Sequence, residues 1–275
     1  MSWLEAVLLG IVQGLTEFIP VSSSAHQLIV GRLFFDNDGG GSAFTAINQL
    51  GTETAVLVYF WRDIVRLIRA GVLALRRRLP WSDPDAREFL LVIIGTLPIG
   101  ILGLIFKNAI EGPARNLWIT ASMLLLFALV IAYADSTARQ TKQVQDLTTR
   151  DGIVFGLWQA LALIPGVSRS GGTMSGGMLM GYRRESAARY SFLLAIPAVW
   201  SSGLFELAGE VSKPNPDGWG QVAVATVLAF VIGYAVIAWL MRYLTTHTLR
   251  PFVFYRLGLA VLLFVLLSVG ALQAT

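Results

Sequence analysis

The sequence predicts an all-α integral membrane protein with about six transmembrane helices plus two re-entrant helical hairpins, arranged as an inverted-topology repeat. Three observations carry that reading. Of the 275 residues, 55% are hydrophobic and 14% charged, against roughly 25% charged in an ordinary soluble domain. Several nearly uncharged stretches reach the roughly 18–20 residues that a helix needs to cross a hydrocarbon core. Two more apolar regions, 3–33 and 151–182, are each interrupted in the middle and echo one another in sequence.

The full spans are expected near 43–61, 88–106, 116–134, 187–208, 220–241 and 252–272. The two interrupted regions do not fit that pattern. Ile19-Pro20-Val21-Ser22-Ser23-Ser24 breaks the first, and Ile164-Pro165-Gly166-Val167-Ser168-Arg169-Ser170 the second. The half-segments are too short to span and suit hairpins that enter and leave by one face.

Basic residues give the orientation. With 62–87, 135–151, 183–189 and 242–250 on the cytoplasmic side, that side holds 15 of the 21 Lys and Arg. The opposite side holds Arg32, Lys107, Arg115 and Lys213, while Arg169 and Arg256 fall in apolar regions. Arg256 is expected to snorkel to the cytoplasmic end. The first hairpin then enters from outside and the second from the cytoplasm. Gly10-Ile11-Val12-Gln13-Gly14-Leu15 recurs as Gly152-Ile153-Val154-Phe155-Gly156-Leu157. The chain is read as one membrane domain, 1–275, with halves 1–134 and 151–272 joined by a cytoplasmic loop 135–150. The small-xxx-small glycine pairs in both hairpins permit close helix approach.

Composition also excludes function classes. The net charge of +4 comes from bases between apolar spans, not from one solvated basic face, so nucleic acid is not an expected partner. The chain has no cysteine, which removes thiol nucleophiles, disulfides and thiolate metal sites. The first residues lack a basic region followed by a small-residue cleavage site, so Met1 is expected to begin the working protein.

An ionised group inside a membrane segment costs roughly 2.5–3.5 kcal/mol on insertion scales, so those at the breaks call for a reason. Gln13 and Glu17, four apart, share one face of the first half-helix. Ser22, Ser23, Ser24 and His26 follow the proline. A serine there can simply cap the next half-helix, and a lone His can be a packing residue. Neither account explains a carboxylate, hydroxyls and an imidazole gathered together. At the second break, Ser168, Arg169, Ser170, Gly171 and Thr173 form a glycine-rich helix start suited to an anion, with Arg169 as a bidentate phosphate clamp. A glycine-rich bend with a snorkelling arginine is the alternative. Glu53 either reaches the site or is a paired structural carboxylate.

The segments QGLTEFIPVSSSAH at 13–26 and PGVSRSGGT at 165–173 resemble the paired signature motifs of the undecaprenyl-diphosphate phosphatase family, linked to bacitracin resistance, and the likeness extends over nearly the whole chain. The resemblance implies hydrolysis of undecaprenyl diphosphate to undecaprenyl phosphate in the bacterial inner membrane, with a divalent cation, Mg or Ca, and a site open to the periplasm or exterior. It implies Glu17, Ser23, His26 and Arg169 as catalytic residues. Gln13, Ser22, Ser168, Ser170, Gly171 and Thr173 are expected to bind substrate, and Glu17 the metal, with Gln13 as a second candidate ligand. Glutamine at position 13 removes one carboxylate from a metal site built on both positions. Expected partners are the polyprenyl diphosphate lipid, membrane lipid and a second copy of the chain as a homodimer. A polyprenyl-phosphate flippase using the same midplane site is the competing function. It leaves the acid–base character of Glu17, Ser23 and His26 without a purpose.

Overall fold

The computed structural model describes residues 1–211 and 218–274; Lys213, counted above on the outer face, lies outside the described residues. The described residues form α1 (Trp3–Thr16), α2 (Ser23–Phe34), α3 (Gly41–Tyr59), α4 (Trp61–Leu75), α5 (Pro84–Ile105), α6 (Lys107–Glu111), α7 (Leu117–Thr137), α8 (Thr149–Ala160), α9 (Arg169–Leu179), α10 (Arg184–Val211), α11 (Trp219–Tyr243) and α12 (Arg250–Ser268). No named strand occurs among them. Local chemistry sets several starts. Ser2 and Glu5 form a capping box on α1, Thr148 and Asp151 another on α8, and Asp83 caps α5 ahead of Pro84.

Five helices, α5, α7, α10, α11 and α12, are long and apolar enough to cross a membrane. Their outer faces remain uncovered. On α5, Leu97, Ile101, Leu104 and Ile105 are exposed while only Ala86, Glu88, Leu91 and Gly95 are buried. An apolar belt of that extent needs lipid in place of water. The expected span at 43–61 is α3, 19 residues long, but it lies inside the bundle and carries buried Asn48, Thr52 and Glu53. The segment 62–87, expected on the cytoplasmic side, holds nearly all of α4 and the first turn of α5.

The breaks fall where the proline motifs placed them. Between α1 and α2 the chain turns through Glu17–Ser22, and between α8 and α9 through a short 3₁₀ turn and Ile164–Ser168. The packing partners come in matching sets. Helix α1 lies on α11 and α8 on α5; α3 meets α10, and α7 meets α12. Close approach explains two glycines. A Cβ on Gly10 would stand 2.6 Å from the Ala225 carbonyl oxygen, and one on Gly156 would collide with the backbone of Gly95. The main core, with Phe18, Val21, Phe155, Met174, Tyr190 and Phe192 among its residues, closes around both breaks.

Candidate active site

The two breaks are built alike. Ser22 holds φ 75°, ψ 97° and accepts from the Ala25 amide; Ser168 holds φ 72°, ψ 117° and accepts from the Gly171 amide. Left-handed φ is unfavourable for a residue with a Cβ, and such strain clusters at functional sites. In each case the serine two residues on lies beside the cap: Ser22 and Ser24 hydroxyls are 3.2 Å apart, and those of Ser168 and Ser170 are 3.1 Å apart. Serine capping at both breaks is therefore a finding, and the remaining polar groups need another account.

Those groups converge on Glu17. Its Oε2 accepts hydrogen bonds from Gln13 Nε2 at 2.7 Å and from the Ser23 hydroxyl at 2.6 Å, while Oε1 accepts from Arg169 Nη2. Arg169 also lies 3.6 Å from Glu53 Oε2. One guanidinium therefore faces two carboxylates. Glu53 and Gln13 are fully buried, and Glu17 nearly so. Among the described residues, both Glu53 oxygens and Arg169 Nη1 lack a hydrogen-bond partner. Behind Glu17, Gln13 Oε1 accepts from Gln27 Nε2 at 3.2 Å, and Gln27 also reaches the Leu9 carbonyl at 3.0 Å. The amide of Gln13 is thereby oriented with its NH₂ toward Glu17.

The expected site residues divide by position. Glu17, Ser23, Arg169 and Gln13 meet directly. Ser170 joins the tips, its hydroxyl donating to the Ile19 carbonyl at 3.3 Å. Thr173 donates to the Arg169 carbonyl at 2.7 Å and is fully buried. Gly171 presents no side chain and packs near Pro20. His26 turns elsewhere: Nδ1 lies 2.7 Å from the Ser22 carbonyl and Nε2 2.6 Å from the Tyr255 hydroxyl. A carbonyl can only accept, so Nδ1 carries the hydrogen and Nε2 accepts from Tyr255. His26 is thus not the hydroxyl's partner in this arrangement; Glu17 is. Tyr255 carried no motif and its place at the site was not legible.

Arg256 corrects an expectation. It does not snorkel to an interface. It is fully buried and donates to the carbonyls of Pro20 (3.2 Å), Gly166 (2.7 Å), Met123 (3.3 Å) and Leu124 (3.3 Å). Pro20 and Gly166 belong to the two different breaks, whose chains leave carbonyls without helical donors. The planar fork of five N–H groups satisfies both at once.

Among the described residues, no group of three or more His, Cys, Asp or Glu side chains converges as a ready-made metal cage. The donors present are nonetheless hard oxygens. Buried Glu53, with two unsatisfied oxygens beside a single shared guanidinium, has capacity left for a further positive partner.

Fold and site define a class: an all-α membrane protein that gathers carboxylates, a serine hydroxyl and an arginine where two helix breaks meet. A family model described as "Bacitracin resistance protein BacA" matches residues 6–262, and the chain belongs to that family. It is 54% identical to the undecaprenyl-diphosphatase of Micrococcus luteus over 100% of both chains. It is also 54% identical to that of an Arthrobacter species, covering 100% of this chain and 97% of the relative, and 51% to undecaprenyl-diphosphatase 2 of Agrobacterium fabrum, covering 100% and 99%.

Proposed function

We propose that this protein hydrolyses undecaprenyl diphosphate to undecaprenyl phosphate and inorganic phosphate, through the groups gathered on Glu17. The observation that carries the mechanism is the 2.6 Å hydrogen bond from Ser23 to Glu17, with Arg169 on the carboxylate's other oxygen. In the first step the Ser23 oxygen attacks the terminal phosphorus and its proton passes to Glu17. The Oγ–P bond forms as the anhydride P–O bond breaks, releasing the lipid monophosphate. Water then attacks the phosphoserine phosphorus as the Oγ–P bond breaks; Ser23 Oγ takes back the proton held on Glu17, the water's proton passes to Glu53 or stays on the phosphate, and inorganic phosphate leaves.

Arg169 and the first amides of α9 hold the phosphate oxygens and spread their charge, while Ser168, Ser170, Gly171 and Thr173 fix that helix start through their own hydrogen bonds. Gln13 and Ser22 keep the first tip in register. The leaving group is a phosphate with a second pKa of roughly 6, so it needs little protonation. His26, with Nδ1 on the Ser22 carbonyl and Nε2 on the Tyr255 hydroxyl, serves by fixing the start of α2 and not as the leaving group's acid. Glu17 and Glu53 would hold Mg or Ca; Gln13, whose oxygen is turned to Gln27, would stay outside the ligand set. When bound, that ion neutralises charge on the diphosphate oxygens.

The two broken pairs read as re-entrant hairpins of an inverted repeat, supported by the matched packing partners and the shared backbone of Ser22 and Ser168. The base distribution supports the inner-membrane orientation of the spans; a site facing the periplasm or exterior follows from the family resemblance, since export leaves the spent diphosphate carrier on the outer leaflet.

The test is phosphate release from undecaprenyl diphosphate by the purified chain, with and without EDTA, beside Arg169→Ala. The expected result is release that stops in the variant and falls with chelation. No release by folded wild-type protein across metals would sink the phosphatase reading, and release unaffected by EDTA would remove the metal from it.

A further inference from the structure

We propose that α4 and the turn after it form a binding surface for anionic phospholipid headgroups of the bilayer leaflet they border, distinct from the catalytic site. The helix has three faces. Leu67, Ala70, Gly71 and Ala74 are buried and α4 packs on α5. Trp61, Ile68, Val72 and Leu75 form an exposed apolar stripe. Between these faces, at spacings of one or two helical turns, run Arg62, Arg66, Arg69 and the C-cap Arg76, all exposed. An apolar stripe beside an arginine stripe is the pattern of a helix lying in the plane of the membrane interface.

The arginines are short of partners within the chain. Arg66 pairs with Asp63 at 2.8 Å and Asp85 at 3.3 Å. Among the described residues, Arg62, Arg69, Arg76, Arg77 and Arg78 have no carboxylate within ion-pair distance. Charges serving only as an orientation signal need to lie near a span end, but need no stripe of their own beside an apolar one.

The end of α4 adds an independent feature. The Arg78 amide bonds the Leu73 carbonyl at 2.8 Å and the Arg77 amide the Ala74 carbonyl at 2.9 Å, which closes the helix. Arg77 sits at φ 57°, in the left-handed position that glycine normally fills in this closure. The turn keeps an arginine there despite the strain. Arg77 and Arg78 line a concavity of about 540 Å³ with Ala74, Leu79, Pro80 and Trp81. Two guanidinium groups beside a half-exposed tryptophan and an apolar floor match a phosphate with acyl chains attached. A free phosphate ion would leave the apolar stripe without a role.

The experiment is native mass spectrometry of the full-length protein in detergent, titrated with phosphatidylglycerol or phosphatidylcholine of matched chains. The test variant replaces Arg76, Arg77 and Arg78 by Gln; these exposed side chains hold no ion pairs, and retained phosphatase activity in detergent reports an intact fold. Wild type is expected to bind phosphatidylglycerol more tightly, with the affinity falling roughly fivefold per arginine removed. Equal binding of the two lipids, or an unchanged preference in the variant, overturns the proposal. Displacement of phosphatidylglycerol by an equal concentration of glycerol 1-phosphate overturns it in favour of a free-phosphate site. If the triple variant loses activity, Arg62→Gln with Arg69→Gln on the helix itself carries the same expectation.

Discussion

Ser23 donates its hydroxyl hydrogen to Glu17 across 2.6 Å, and the same carboxylate is held by Arg169 through its second oxygen. In the proposed mechanism, nucleophile and base therefore come from the two sides of one break, while the guanidinium comes from the other break. Replacing Glu17 by Gln keeps the shape and removes the base. We expect kcat to fall about 10²–10⁴-fold with KM little changed, measured as phosphate release at saturating lipid. A Glu17→Gln enzyme with near wild-type kcat would remove Glu17 from the proton transfer.

Arg169→Lys keeps the charge but loses the planar fork. The lysine ammonium is a point charge and cannot serve Glu17, Glu53 and a phosphate together. A decrease in kcat of about 10²–10³-fold is expected. Full activity in this variant would show that a single charge suffices at the second tip.

Arg256→Gln leaves the carbonyls of Pro20 and Gly166 without a donor, while those of Met123 and Leu124 keep their helical partners in α7. Each buried group left unsatisfied costs about 1–3 kcal/mol. Thermal unfolding in detergent should fall by about 5 °C or more, and Arg256→Lys should recover only part of it. An unchanged transition temperature would mean that water or relaxation replaces the clamp at little cost.

The glycines separate contact from propensity. Gly10→Ala places a methyl against the Ala225 backbone, whereas Gly100→Ala points into open space on α5. The first change should lower stability. The second should leave it level or raise it by about 0.5–1 kcal/mol, the helix preference of Ala over Gly. Equal effects would refute the close approach of α1 and α11.

Asp151, at the polar start of α8, gives a pH dependence. Burial opposes its charge, but hydrogen bonds from Tyr182 (2.8 Å) and Thr148 and the Lys142 ammonium (3.5 Å) outweigh it and hold the carboxyl below its ordinary value. A carboxyl with a depressed folded pKa adds stability above its unfolded pKa of about 3.9. That stability is lost as pH falls through the folded value. Tyr182→Phe should therefore lower stability at pH 7 and flatten its decline below pH ~4, read from unfolding midpoints across pH.

Much of this arrangement was legible because its signals are local. Proline after isoleucine, followed by serines, marks both breaks, and the four-residue spacing of Gln13 and Glu17 puts them on one face. The partner of Ser23 was less legible: His26, three residues on, shares a helix face with it, but the Ser22 carbonyl and the Tyr255 hydroxyl take both imidazole nitrogens. Tyr255 and Arg256 act across 229 and 236 residues of chain, and no short-range pattern carries such pairings. Glu53 was visible as a buried carboxylate in an apolar span, but not which cation it would meet. The amphipathic order of α4 was present at 61–75, hidden by reading its arginines only as a count.

The charges at the centre belong to different parts of the chain: Glu17 and Glu53 precede residue 134, and Arg169 follows residue 151. Two copies of the first part, packed on each other, would crowd four carboxylates into a low-dielectric space. Two copies of the second would set guanidinium against guanidinium. Each self-pairing is repelled at the point where the mixed pairing is neutralised. These paired charges therefore favour the mixed assembly of the two parts over any in which like meets like.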